Sequence, residues 1–517
     1  MTGSIRSTGS RLMTPIVKKY FLKLPHVSDE DNTPGLERVL DGLRREGIDV
    51  EAVPVSVIRK ISSAFKENKF DITAVVRMAG RRELLDVEPG ERLDNFGIAV
   101  DLGTTNIVCG IVDLNSGKSV GELSGTNPQT AVGEDILARI HHCLKLSEAG
   151  QPAGLDELRI AAVDAINVLA ERLARDAGIN ANEISCACIS GNTTMAHLFL
   201  GLDPYNICRA PYVPAANRFG SFGAKELGLN INPEAPVVVL PNVGSYVGGD
   251  VLAGILASGM AGRDGISILV DVGTNAEIIV GNRDWLVACA GAAGPALEGG
   301  VVSSGMRAAP GAIDRITIDE SHEPSFSVIG NIAPAGICGS ALIDLLSGLF
   351  RTGLIDGRGK FIPGRTERVV NTGSGPAYRV TGDIFFTEKD IENLIRTKAA
   401  MYTALTVIIS EIGITFDDIE SFFVAGTFGE YIAADKAVSI GMLPDIPLSK
   451  FKLLGNSSLA GASLALLDRH AVERIEKIAS TITYKELNAS AEFMSLYRAA
   501  MFLPHTDASL FPSAYKF

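Results

Sequence analysis

One pattern in this chain occurs twice, and it leaves few folds open. AVDLGTTNIVCG (Ala99 to Gly110) returns, reworked, as LVDVGTNAEIIVG (Leu269 to Gly281). Each copy is an apolar run of strand character that ends in an aspartate, turns through x-Gly-Thr and continues as a second strand. Glycine in such a turn lets the backbone come close to a phosphate, whose oxygens then accept from Thr hydroxyls and amide N–H groups. The aspartate at the strand end is placed to hold hydrated Mg²⁺, which takes oxygen ligands octahedrally and keeps most of its waters. The duplication predicts two homologous lobes facing each other across a nucleotide cleft. Gly103, Thr104 and Thr105 are expected on one side of the phosphates, and Gly273, Thr274 and Asn275 on the other. Asp101 and Asp271 are the expected catalytic carboxylates, organising Mg²⁺ through water.

A third element strengthens this reading. Ser421 to Tyr431 reads SFFVAGTFGEY, again an apolar strand that runs into a Gly-x-x-Gly turn. It resembles the strand and small-residue turn that pack on the adenosine in two-lobed ATPases of the actin, sugar-kinase and heat-shock-chaperone superfamily. The resemblance implies that Gly426, Thr427 and Gly429 face the adenosine, with Asn456 capping a helix near the nucleotide.

A chain of 517 residues exceeds what one hydrophobic core supports, so several domains are expected. Its 54 glycines and 46% apolar content suit an α/β protein with many tight strand-to-helix turns. The net charge of −13, without a basic block, argues against nucleic-acid binding, which needs a field of the opposite sign. No apolar run approaches a membrane span, and the opening MTGSIRSTGSRL lacks the apolar centre of a secretory signal, so a soluble cytoplasmic protein is expected. The seven cysteines, Cys109, Cys143, Cys186, Cys188, Cys208, Cys289 and Cys338, form neither a C-x₂-C pair nor a ferredoxin run. Cys186 and Cys188 sit two apart in the apolar stretch EISCACISG, as strand residues on one face do.

Along the chain, residues 1–24 read as a tail or linker ending in a short strand. Residues 25–92 read as a small α+β middle domain whose first helix is capped in Asp31-Asn32-Thr33-Pro34 and closed by Gly47. The ATPase domain is expected over 93–517, with lobe 1 at about 93–264 and lobe 2 at about 265–517. The resulting fold class is α/β, an actin-like domain of duplicated RNase H-like lobes behind a small α+β domain. Helices are expected at Leu155–Ala177 and Glu388–Ile412, and a long loop at Pro211–Pro233. The segment Cys289–Gly311 holds six glycines and two prolines and matches neither helix nor strand. Loops of that length inside a compact domain are usually functional.

Taken together, DLGTT, NPQ with GED, GNTTM, YVGGD, DVGTNAE, GPALEG, AGICGSALID, VAGTFGEYI, GNSSLAGA and AMFLPH resemble the ATP-dependent reductive activators of corrinoid proteins. The resemblance runs from about Pro15 to His505. It implies an activity that returns an oxidised cobalt(II) corrinoid to cobalt(I) at the expense of ATP. ATP and Mg²⁺ are the implied cofactors, and a corrinoid protein of a methyltransferase system is the implied partner; a homodimer stays open. Members of the family carry an iron–sulfur domain that delivers the electron, and this chain shows no cluster ligands. No cluster is therefore expected here, and a separate ferredoxin-like donor is. The hydroxyls of Ser303 and Ser304 and the backbone around Gly305 are where a planar corrin is expected to approach.

Other readings remain open on the residues alone. A small-molecule kinase of the same superfamily needs a carboxylate base beside a hydroxyl substrate, for which Asp135 or Asp250 qualifies. An activator of a radical dehydratase needs two cluster cysteines per chain, such as Cys289 and Cys338. A nucleotide-gated binding module without redox chemistry is the non-enzymatic reading.

Overall fold

The computed structural model describes residues 14–68, 70–145, 153–273, 276–291, 300–373, 375–486 and 492–515. The chain divides into two compact units, one of residues 1–256 with 458–480 and one of 257–457 with 481–517.

The first unit opens with a small α+β layer. Strands β1 (Val17–Lys23), β2 (Asp71–Arg77) and β3 (Glu83–Pro89) form an antiparallel sheet with β2 in the middle. Helices α1 (Gly35–Arg45) and α2 (Val55–Asn68) cover it, burying Val39, Leu43, Val57 and Ile61 against Leu22, Ile72 and Val76. Because β1 pairs along its whole length with β2, this layer reaches back to Val17, ahead of the boundary expected at residue 25. The cap of α1 also differs from expectation. Pro34 stands at the N-cap, while Asp31 accepts from the Thr33 amide and from Arg38, closing its own turn.

Strands β4 (Phe96–Leu102), β5 (Asn106–Asp113), β6 (Ser119–Thr126), β7 (Ile184–Gly191), β8 (Gly220–Gly223) and β9 (Pro236–Val239) form a six-stranded sheet in the order β6-β5-β4-β7-β9-β8. β8 and the short helix α6 (Ala224–Leu227) occupy what reads in sequence as a loop. A four-residue strand is too short to show alternation, and its pairing with β9 makes it a strand. Helices α3 (Ile136–Cys143), α4 (Gly154–Ala177) and α5 (Thr193–Leu200) lie on one face, with Leu158, Ala162, Ile166 and Leu173 of α4 in the core. Gly178 ends α4 in the left-handed conformation that glycine adopts without strain.

The second unit repeats this plan. Strands β10 (Ile266–Val272), β11 (Ala276–Gly281) and β12 (Leu286–Gly291) are its antiparallel portion. Two three-stranded sheets follow, β13 (Ala312–Ile318) with β14 (Pro324–Val328) and β15 (Gly336–Ile337), then β16 (Val369–Thr372) with β17 (Gly375–Thr381) and β18 (Ile384–Thr387). β19 (Ile419–Ala425), β20 (Phe451–Gly455) and β21 (Ile482–Tyr484) complete the large sheet, ordered β20-β19-β10-β11-β12-β21. The order β6-β5-β4-β7-β9 in one sheet and β12-β11-β10-β19-β20 in the other is therefore the same arrangement twice. The central strands β4 and β10 even share one burial sequence, four buried residues, a partly exposed aspartate, then a buried apolar residue.

Helix α7 (Gly249–Ser258) leaves the first unit. Helices α8 (Gly339–Arg351), α9 (Glu388–Glu411), α10 (Gly426–Tyr431) and α11 (Ala434–Ser439) belong to the second. Thr387 and Asp390 start α9 as a reciprocal capping box. Helix α12 (Ser457–Leu467) and most of α13 (Ala471–Thr481) return to the first unit, although lobe 2 was expected to run unbroken to the C-terminus. Tight contacts hold α12 there. A Cβ added to Gly461 would lie 2.2 Å from the Ala253 carbonyl oxygen, and one added to Gly97 would touch Cys186 and Leu466. α14 (Phe493–Ala500) packs along α9. Lys398 of α9, almost wholly buried, donates to the carbonyls of Phe502 and Pro504 and so ties down the AMFLPH segment. Among the described residues no helix is long and apolar enough to cross a membrane.

Candidate active site

In the first unit, Asp101 stands at the C-terminal end of β4, in register with Ser190 on the parallel neighbour β7. Ser458, from the returning helix α12, donates to Asp101 Oδ1 at 2.7 Å and lies 2.9 Å from the Ser190 hydroxyl. The Ser458 hydroxyl, itself in contact with Ser190, thus holds the carboxylate at the strand end. Gly103 begins the turn, and a Cβ there would lie 2.5 Å from the Asn106 carbonyl oxygen, which only glycine avoids.

The carbonyl side of this turn is tied back throughout. Asn127 Nδ2 donates to the Gly103 carbonyl at 2.9 Å, Arg139 Nη2 to that of Thr104 at 2.5 Å, and the Asn127 amide to that of Thr105 at 2.8 Å. In a trans peptide the N–H points opposite to the C=O, so the amides of Thr104 and Thr105 face away from these donors. Asn192, the N-cap of α5, donates through Nδ2 to Thr104 Oγ1 at 3.0 Å.

Asp250, at the start of α7, belongs to the same corner. Its neighbour Gly248 is pressed so closely on the β7–α5 turn that a Cβ would lie 2.4 Å from Asn192 Cα and 2.5 Å from Asp250 Oδ1. Burial first, and then the nearby negative charge of Asp101, push the Asp250 carboxyl up to about 7. A buried carboxyl with its proton affinity raised by burial and by a charged neighbour is a candidate acid–base group. Asp135 is placed elsewhere. It is exposed and caps α3, its Oδ1 accepting from the Ala138 amide at 2.7 Å.

The second unit has a corresponding corner. Asp271 ends β10 in register with Ala425 of β19, the residue before Gly426. Gly426 has φ +86°, and a Cβ there would lie 2.5 Å from the Val272 carbonyl and 2.7 Å from Asp271 Oδ1. Gly429 follows in α10, where a Cβ would lie 2.8 Å from the Val424 backbone. The second Asp-x-Gly turn and the third Gly turn of the sequence are thus one local structure. Gly273 is exposed in that corner; Thr274 and Asn275 fall outside the described residues, as does the side chain of Thr427. Asn456 immediately precedes α12.

Sequence reasoning missed Ser458, Asn127 and Arg139 as parts of this site. Asn127 has a local signal, since it heads the Asn-Pro-Gln turn and its side chain accepts from the Gln129 amide. Ser458 has none, because it meets Asp101 across 357 positions of sequence.

The donor set suits Mg²⁺ and a polyphosphate: carboxylates, hydroxyls, outward amides and glycines whose Cβ would fill the approach. It does not suit a cluster. Cys289 and Cys338 are buried, Cys289 in β12 and Cys338 at the head of α8, and burial pushes the Cys289 thiol up, against the thiolate that iron needs. Cys186 and Cys188 are wholly buried in β7 and raised for the same reason. Among the described residues no group of three or more His, Cys, Asp or Glu is arranged to hold a metal ion by itself.

Comparison with known proteins gives a consistent picture. Three family profiles match in succession: the RACo linker region over residues 8–94, the RACo middle region over 96–263, and the C-terminal ASKHA domain of RACo over 265–515. The layer read above as a middle domain is thus the one the linker profile covers. The chain is 32% identical over 508 residues to the corrinoid activation enzyme RamQ of Eubacterium limosum, covering 93% of this chain and 82% of that protein. It is 25% identical over 429 residues to a [Co(II) methylated amine-specific corrinoid protein] reductase of Methanosarcina barkeri, covering 76% and 74%. Among solved structures, a reductive activator for a corrinoid, iron–sulfur protein superposes with a TM-score of 0.89 at 38% identity, over 98% of this chain and 82% of that one.

Proposed function

The chain belongs to the RACo family, whose C-terminal domain is an ASKHA domain, and from that premise we propose that it is an ATP-hydrolysing reductive activator of a corrinoid protein. It helps return inactive cobalt(II) to the cobalt(I) needed for methyl transfer. The observation that carries this reading is the Asp101–Asp250 corner beside a turn whose carbonyls are all tied back, in a chain whose relatives are named for corrinoid activation.

Asp101 in the first unit and Asp271 in the second are the carboxylates that would hold hydrated Mg²⁺ through water, and the ion would supply neutralisation of phosphate charge when bound. Gly103, Thr104 and Thr105 in the first unit, and Gly273, Thr274 and Asn275 in the second, are each a turn suited to receiving phosphate oxygens. Gly426, Thr427 and Gly429 receive the adenosine. Asp250 takes the proton of the attacking water, and ATP leaves as ADP and phosphate. One electron passes from a separate low-potential, ferredoxin-like donor to the partner's cobalt(II). Each ~59 mV by which that step runs uphill costs about 1.4 kcal/mol. The protein offsets this by binding one state of the partner more tightly than the other, and nucleotide turnover releases the complex.

The partner approaches the segment around Ser303. Ser303 is exposed, and its hydroxyl donates to Asp390 Oδ2 at 2.6 Å while its amide donates to Oδ1 at 2.9 Å. Ser304 Oγ accepts from the Phe385 amide, so these hydroxyls are held in place rather than loose. A cytoplasmic location suits seven free cysteines, which persist where thiols stay reduced.

The test is spectroscopic. With a cognate cobalt(II) corrinoid protein, Mg-ATP and a low-potential reductant, the cobalt(I) band is expected to grow faster with this protein, and only when ATP is present. Phosphate transferred instead to a hydroxylated metabolite, with unchanged cobalt spectra, establishes the kinase reading.

Asp250 adds a pH dependence. To accept a proton it must be ionised, so hydrolysis is expected to rise from pH 6 to pH 8 with an apparent pKa near the carboxyl's value of about 7. Asp250→Asn is expected to lower hydrolysis about 10²- to 10⁴-fold. Stability has the opposite sign. A carboxyl raised in the folded state contributes stability fully present below its unfolded value of about 3.9, and lost as pH rises through about 7. The melting-temperature advantage of Asp250→Asn over wild type is therefore expected to widen between pH 5.5 and pH 8; a constant gap refutes the assignment.

A further inference from the structure

Arg139, on α3, has none of its surface exposed, yet among the described residues each hydrogen-bond partner of its guanidinium is a neutral group. Nε donates to the Gly133 carbonyl at 2.9 Å, Nη1 to Gln129 Oε1 at 3.0 Å and toward Met195 Sδ at 3.3 Å, and Nη2 to the Thr104 carbonyl at 2.5 Å. A guanidinium stays charged in proteins, and burying it on neutral acceptors is unfavourable unless an anion compensates. Asp135, one helical turn earlier, acts on it only through space and is itself committed to the helix cap. Thr104, whose carbonyl Arg139 holds, lies in the first Asp-x-Gly-Thr turn.

We propose that Arg139 is a positioning residue for the nucleotide phosphates, a buried cation that turns the amide side of the Thr104–Thr105 turn outward and whose charge the bound phosphates neutralise. This rests on the nucleotide reading above. It explains why a costly cation is retained where a neutral donor would satisfy one carbonyl. It also explains why the fork geometry matters: three directions of one rigid plane lock α3, the Asn-Pro-Gln turn and the phosphate turn together.

The proposal separates phosphate binding from adenosine binding. Arg139→Met and Arg139→Lys are first checked by melting without nucleotide, then titrated calorimetrically with Mg-ATP and with adenosine. Arg139→Met is expected to bind Mg-ATP about 10- to 100-fold more weakly than wild type, the worth of a charge-assisted contact, with adenosine affinity unchanged. Arg139→Lys, which keeps the charge and loses the fork, is expected to fall between. In turnover, KM for Mg-ATP is expected to rise more than kcat falls. Equal loss of ATP and adenosine, loss of neither, or loss of the melting transition in both variants overturns the proposal, the last making Arg139 a folding residue. A wild-type protein that binds no Mg-ATP fails the nucleotide reading itself.

Discussion

Asp271→Ala is expected to lower ATP hydrolysis on the order of 10²- to 10³-fold, the range seen when one preorganised electrostatic group is removed from a phosphate or oxyanion site. The fold is expected to survive. Asp271 is partly exposed at the end of β10, whereas the strand is held by the buried Ile268, Val270 and Val272 and by ladders to β11 and β19 that involve only backbone. The change removes a carboxylate from a strand end and creates no cavity in the core, so the melting temperature is expected to move by a few degrees at most. The measurement is a steady-state ATPase assay beside a melting curve. Undiminished hydrolysis would remove Asp271 from the machinery, and with it the functional equivalence of the two Asp-x-Gly corners. The same substitution is expected to abolish ATP-dependent growth of the cobalt(I) band.

Gly426→Ala combines two penalties. At φ +86° an L-residue costs about 1 to 2 kcal/mol, and its Cβ would press on the Val272 carbonyl and the Asp271 carboxylate, contacts that cannot relax without moving β10. A destabilisation of about 2 kcal/mol or more is expected, together with a loss of Mg-ATP affinity of about tenfold or more. Gly413 supplies the control. It also has positive φ, +72°, but an added Cβ meets nothing within 4 Å. Gly413→Ala is expected to cost only the conformational part, about 1 to 2 kcal/mol, and to leave nucleotide binding intact. Equal effects of the two substitutions on affinity would show that Gly426 serves the backbone alone.

Much of this architecture is written locally. The strand ending in Asp101, the turn at Gly103 and the reworked copy at Asp271 and Gly273 depend on apolar runs and on glycine, which act over a few residues. Helix α9 was expected over Glu388–Ile412 and spans Glu388–Glu411, because its capping box and apolar periodicity lie within the segment itself. What local patterns do not encode is which side chains converge. Asp135 and Asp250 look alike in sequence, as acidic residues after glycines. Packing made one an exposed helix cap and brought the other beside Asp101 with its proton affinity raised. Ser458 reaches Asp101 because glycines at 97 and 461 let α12 lie close on β4 and α7, a match of shapes between segments hundreds of residues apart. Arg139 reads as one more charge on an amphipathic helix until the turn beneath it is seen to hold its guanidinium. The sequence alone determined the repeated strand–turn units, since hydrogen bonding and backbone freedom are properties of near neighbours. Only the tertiary structure decided the site's membership, since burial and charge proximity depend on what the rest of the chain brings alongside.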